Sequence, residues 1–151
     1  MSNETAQANV PSYDKPLPEI EPGTQPFWEA LRRHELIFQR CRSCEHEFGP
    51  YQPVCPSCLS ENLEDRKSSG RGTVYSFSVV HRAPMPAFRA DIPYAVALVQ
   101  LDEGFYVTTN IVGCPADQVK IGMTVEVDYL DATAEITLAR FKPVGAVGPG
   151  V

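Results

Sequence analysis

The chain has 151 residues, 43% of them hydrophobic, with a formal net charge of −6. That is enough for one modest core, but no apolar run approaches the ~20 residues needed to cross a bilayer and no stretch has the basic amphipathic pattern of a membrane-surface helix. Acidic residues outnumber basic ones in both halves, 11 to 7 over 1–69 and 8 to 6 over 70–151, which argues against a polyanionic partner.

Residues 1–23 carry Pro11, Pro16, Pro18 and Pro22 among polar residues, a composition expected to form a flexible Pro-rich arm. The opening Met1-Ser2-Asn3-Glu4-Thr5 lacks the basic and apolar regions of a secretory signal, so the expected compartment is the reducing cytoplasm. From Thr24 the pattern changes. Thr24 can cap a helix, Pro26 suits its first turn, and Phe27, Trp28 and Leu31 recur at helical spacing, predicting a short amphipathic helix over 24–34. Leu36, Phe38 and Arg40 then alternate as a short strand leading to Cys41.

Cys41-Arg-Ser-Cys44 and Cys55-Pro-Ser-Cys58 are two Cys-x-x-Cys turns ten residues apart. Each can aim two thiolates at one point, and together they supply the sulfur tetrahedron that zinc prefers. A redox dithiol needs only one such turn, and Pro53 and Pro56 make the second a poor helix start; disulfides do not suit a reducing compartment. The reading is therefore structural Zn2+ on Cys41, Cys44, Cys55 and Cys58, with every position filled by protein and no place for an activated water. Glu45 and Leu59 stand where glycine would most easily take positive φ, which predicts strained or differently shaped turns. Arg40 and Arg42 flank Cys41 and can offset the negative charge of the centre. His46 is a surface or near-metal residue, since four sulfurs suffice. Helix and ribbon are expected over 24–67, with Arg66-Lys67 as a solvated linker.

Ser68-Ser-Gly-Arg-Gly72 reads as a hinge-like break. Thr73–His81, Tyr94–Leu101, Phe105–Val112, Thr124–Leu130 and Glu135–Phe141 follow as five strands with aromatic and β-branched alternation. Asp102-Glu103-Gly104 supplies a hairpin turn whose carboxylates are read as solvated. Pro115–Lys120 is a helical turn between the third and fourth strands. Five short strands with an insert at that point predict a closed OB-type barrel over 68–143 and a flexible tail over 144–151. The fold class is thus mainly β: a short N-terminal helix, a rubredoxin-like zinc ribbon and a five-stranded OB-fold barrel. Cys114 has no base nearby in sequence and reads as a small apolar filler rather than a nucleophile, so no catalytic residue is assigned.

The order of these pieces resembles one family: the Phe27-Trp28 helix, the four-cysteine ribbon, Gly70-Arg-Gly-Thr-Val-Tyr-Ser76, Pro93-Tyr94, Asp102-Glu-Gly104, Lys120-Ile-Gly122 and Phe141-Lys-Pro143. It is similar to the zinc-ribbon and OB-fold proteins associated with acyl-CoA thiolases, long catalogued as a domain of unknown function, over roughly residues 25–143. The resemblance implies a non-catalytic subunit in a hetero-oligomer with a thiolase-fold acyl-CoA enzyme: a thiolase, a hydroxymethylglutaryl-CoA synthase or a side-chain aldolase. On that reading Phe27 and Trp28 are candidate partner anchors. The long connection after the first barrel strand offers Arg82 and Arg89 to CoA phosphates, with Met85 and Phe88 lining an acyl path. The competing reading is a stand-alone nucleic-acid-binding module, since ribbons and OB barrels both serve that purpose.

Overall fold

A computed structural model describes residues 12–49 and 51–145. A 3-10 turn, Pro22–Thr24, leads into α1, Gln25–Arg32. Thr24 does not cap the helix through its side chain; its hydroxyl instead donates to the Glu21 carbonyl, closing the preceding turn at 3.0 Å. The helix stops where His34 turns left-handed at φ 57°, with the Arg33 and His34 N–H groups returning to Ala30 and Leu31.

The ribbon is a three-stranded antiparallel sheet. Its centre is β1, Ile37–Cys41, flanked by β2, Glu47–Phe48, and β3, Leu63–Lys67. The third strand corrects the expected linker. Arg66 and Lys67 pair with Phe38 and Ile37 of β1, while their side chains reach Glu64 and Glu35.

The barrel comprises β4 (Arg71–Val80), β5 (Tyr94–Leu101), β6 (Tyr106–Ile111), β7 (Thr124–Asp131) and β8 (Thr137–Pro143), closed in the order β4-β5-β6-β8-β7. Inward positions of β5 are Ala95, Ala97, Val99 and Leu101, all buried. Small residues at one end and larger ones at the other fill a narrow, tapering interior. Val74, Val125 and Phe141 meet them from the other strands. At Gly72 a Cβ would come within 2.5 Å of the Gln100 carbonyl oxygen, so close pairing of β4 and β5 requires glycine there.

Two features join ribbon to barrel. Leu36 and Phe38 are buried in the barrel's own apolar cluster, Phe38 stacking on Phe105 at 5.2 Å. The segment expected to be a hinge is tied down: Glu103 accepts from the Ser68 hydroxyl at 3.1 Å and the Ser69 N–H at 2.6 Å, while Gly70 N–H donates to the Ser68 oxygen. Residues 1–11 of the expected arm and 146–151 of the expected tail lie outside the described residues. Tyr13 and Lys15 lie against the barrel, where Lys15 Nζ is 3.0 Å from Asp91.

Candidate functional site

The two cysteine turns are built alike. β1 delivers Cys41, whose N–H donates to the His46 carbonyl and whose carbonyl accepts from Glu45 N–H at 2.9 Å. Cys55 repeats this with Ser60 and Leu59, again at 2.9 Å. Both turns need a left-handed residue in fifth place, and Glu45 (φ 65°) and Leu59 (φ 62°) take it without glycine. The expected strain is therefore present, at a cost of roughly 1 kcal/mol for each, while the two turns keep the same hydrogen bonding. A Ser43–Ser60 hydroxyl contact of 2.9 Å links them.

The four Sγ atoms lie within 4.8 Å of one another, Cys41 and Cys55 buried, Cys44 and Cys58 exposed. The closest pairs are Cys41–Cys58 at 3.5 Å and Cys44–Cys55 at 3.6 Å, with all five cysteines free. Sulfurs about 2.3 Å from one tetrahedral ion stand about 3.8 Å apart, so the spacing suits a zinc tetrahedron. The electrostatics agree. The Cys44 N–H, the largest influence, pulls the Cys41 thiol down to about 6. The Ser60 N–H favours the Cys58 thiolate, yet the crowding Cys41 and Cys44 sulfurs push Cys58 up to about 12. Four sulfurs this close cannot all ionise unaided, and a dication removes the conflict. The cluster fits structural Zn2+ and leaves no open ligand position.

Arg40 and Arg42 turn to carboxylates: Arg40 to Glu45 at 2.6 Å and Glu64 at 3.5 Å, Arg42 to Glu64 at 3.3 Å. The hydrogen bond from Arg66 first, and then that from Arg42, holds the Glu64 carboxyl below its ordinary value against the opposing effect of burial. His46 is exposed and stacks on Phe48, the apolar residue buried beside the cysteines.

A second feature lies on the barrel wall. β6 and β8 are joined by one parallel pair, Ile111 with Phe141, and lower down the Thr109 hydroxyl reaches the Ala139 carbonyl at 3.3 Å. The loosely stitched seam carries a groove of about 520 Å³. Its walls combine apolar Phe88, Leu130 and Leu138 with polar Lys15, Asn110 and Arg140. Arg140 is fixed by Asp128 at 2.7 Å, and its Nε is buried without a hydrogen-bond partner.

Of the four loop residues singled out from sequence, Phe88 lines this groove; Arg82, Met85 and Arg89 are exposed and not part of its lining. Phe27 and Trp28 meet edge to face at 5.4 Å, both half-buried against the barrel's apolar cluster. Cys114 lines the groove, and burial, helped by Asp117, pushes its thiol up, the opposite of nucleophile activation. Sequence reasoning missed Lys15, Asn110 and Arg140. They are far apart in the chain and only barrel closure brings them together, so no local spacing marks them.

Residues 28–64 match the family model of the ChsH2 rubredoxin-like zinc ribbon domain, and residues 65–130 that of the ChsH2 C-terminal OB-fold domain. A probable enoyl-CoA hydratase alpha subunit from Thermomonospora curvata is 41% identical over 133 residues, 88% of this chain. The chain spans only 41% of that protein's length. A DUF35 domain-containing scaffold protein from Methanocaldococcus jannaschii is 41% identical over 101 residues, covering 66% of this chain and 71% of the relative. Among solved structures, a chain of the Ltp2-ChsH2(DUF35) aldolase superposes with a TM-score of 0.75 at 41% identity, covering 84% of this chain and 98% of that one.

Proposed function

Since the chain belongs to the DUF35 family of zinc-ribbon and OB-fold proteins, we propose that it is an accessory subunit of a CoA-processing enzyme, contributing scaffold rather than catalysis. In the finer form of this reading the partner is a thiolase-fold acyl-CoA enzyme of the thiolase, hydroxymethylglutaryl-CoA synthase or side-chain aldolase type. The two chains form a hetero-oligomer in the cytoplasm. The observation that carries it is near-complete coverage of the DUF35 chain of an aldolase at 41% identity. The hydratase alpha subunit and the scaffold protein point the same way.

The chemistry of the chain supports a structural role. Zn2+ held by Cys41, Cys44, Cys55 and Cys58 is closed to substrate and supplies rigidity. Burial, helped by Asp117, pushes up the one thiol outside that set, Cys114. Among the described residues no helix is long and apolar enough to cross a membrane. Phe27 and Trp28 give α1 an aromatic face to set against the enzyme, and Arg82 and Arg89, both exposed, are free to meet CoA phosphates.

The test is purification from the source cell under native conditions, with mass identification of what stays bound. A stoichiometric acyl-CoA enzyme of thiolase fold is expected, and Trp28→Ala should lower its recovery at least about tenfold, as loss of an interface tryptophan does. Arg82→Ala/Arg89→Ala should raise the complex's acyl-CoA KM. Recovery of the chain without any CoA enzyme, or turnover of an acyl-CoA by the chain alone, would overturn the reading.

A further inference from the structure

The seam groove has one wall that the barrel does not supply. Tyr13 and Lys15, far from the barrel in sequence, line it together with residues of β6 and β8. Their hold is local and polar. Lys15 Nζ sits 3.0 Å from Asp91, 5.8 Å from the Phe88 ring centroid and 5.6 Å from that of Tyr13. The Lys15 side chain is 23% exposed, well covered for a lysine in a segment without regular structure. Phe88 is itself braced by Tyr94, ring centroids 6.1 Å apart. On the other side Pro16 and Pro18 limit the bending of the chain toward α1. A partly exposed ion pair with Asp91 and one cation–π contact with Phe88 hold the segment closed only weakly, the Tyr13 contact lying within the segment itself, and weakly held segments are the ones that open.

We propose that Tyr13–Lys15 is a strap that gates the groove over the β6/β8 seam, with the Lys15–Asp91 pair as its clasp. Releasing the clasp frees the strap from Phe88 and exposes the groove to molecules too large to enter past it. The strap ends ten residues before α1 begins at Gln25. The gate does not depend on which ligand enters, so it can fail while the accessory role stands.

Cys114 lines the same groove and reports on access. The experiment uses the full chain loaded with zinc, so that the four ribbon cysteines are protected, with Cys114→Ala giving the background. Cys114 is labelled with a bulky fluorescein-bearing maleimide and, separately, with small iodoacetamide. Lys15→Ala and Asp91→Asn should each speed the bulky reagent by about three- to tenfold. The double variant should be no faster than the quicker single one, because both break one clasp. Lys15→Arg should stay within about twofold of the parent, and iodoacetamide should change little throughout. Unchanged bulky-reagent rates in both single variants would overturn the gate. So would equal acceleration of both reagents, which would mark a change in the thiol itself, or multiplied effects in the double variant. Near-UV circular dichroism matching the parent certifies that each variant is folded.

Discussion

Ribbon and barrel solve the same problem by different means. The barrel buries a continuous apolar cluster reaching from Leu31 to Phe141, whereas the ribbon's own cluster is Cys41, Phe48 and Cys55, with Leu63 packed partly against it. Two of its three buried members are sulfur donors. The barrel rests on area removed from water, while the ribbon has too little such area and needs ligand bonds instead. One chain therefore contains a part that folds by packing and a part whose fold depends on an ion.

Removing the metal should separate the two most sharply. With strong chelator, or in Cys55→Ser, amides of β1 to β3 should lose hydrogen-exchange protection while those of β4 to β8 keep theirs. Binding energies on the order of 10 kcal/mol attach to such sites, so the effect is all or none for the ribbon. Elemental analysis should fall from one zinc per chain to none, and a protected ribbon without metal would break the comparison. The counterpart in the barrel is Gly72→Ala. Its Cβ would overlap the Gln100 carbonyl oxygen and Val99, forcing β4 from β5 at a cost of about 2–4 kcal/mol in urea unfolding, zinc content unchanged.

Glu103→Ala tests the junction. It strips partners from the Ser68 hydroxyl and the Ser69 N–H, and should cost about 1–2 kcal/mol, with faster exchange at residues 69–71. A smaller effect is tied to pH. His34 first, then Thr137, hydrogen-bonds Asp131 and holds its carboxyl below the ordinary 3.8. This stabilisation is complete above that value and disappears as pH falls through the lower folded one. Asp131→Asn should therefore cost stability at neutral pH and nothing in strong acid; with both partners half-exposed the neutral cost stays under about 1 kcal/mol. Smallest is Leu59→Gly. It relieves a left-handed leucine that is 73% exposed, and should stabilise the zinc-loaded ribbon by about 0.5 kcal/mol, read as slower zinc loss to a chelator.

Much of this was legible because it is local. Tyr94–Leu101 was placed to the residue, since its alternation is the side-chain period of a strand with one face buried. The four cysteines carried their geometry in their spacing. β3 was not legible: Glu64-Asp65-Arg66-Lys67 has the composition of a solvated linker, and charge on an edge strand is how sheets avoid pairing with strangers. Glu103 looked like a solvated turn residue because its partners lie 34 and 35 positions earlier. The strap was hidden for a related reason. Lys15 sits in a proline-rich stretch that cannot fold alone, and what orders it is an aspartate 76 positions away.

The carboxylate of Glu103, with Phe38 set against Phe105, removes the joint that the three small residues Ser68, Ser69 and Gly70 between the two halves would otherwise provide. Torque on one half is thus transmitted to the other, so that turning the metal-bound end also turns the seam of the barrel, about as a handle aims a blade.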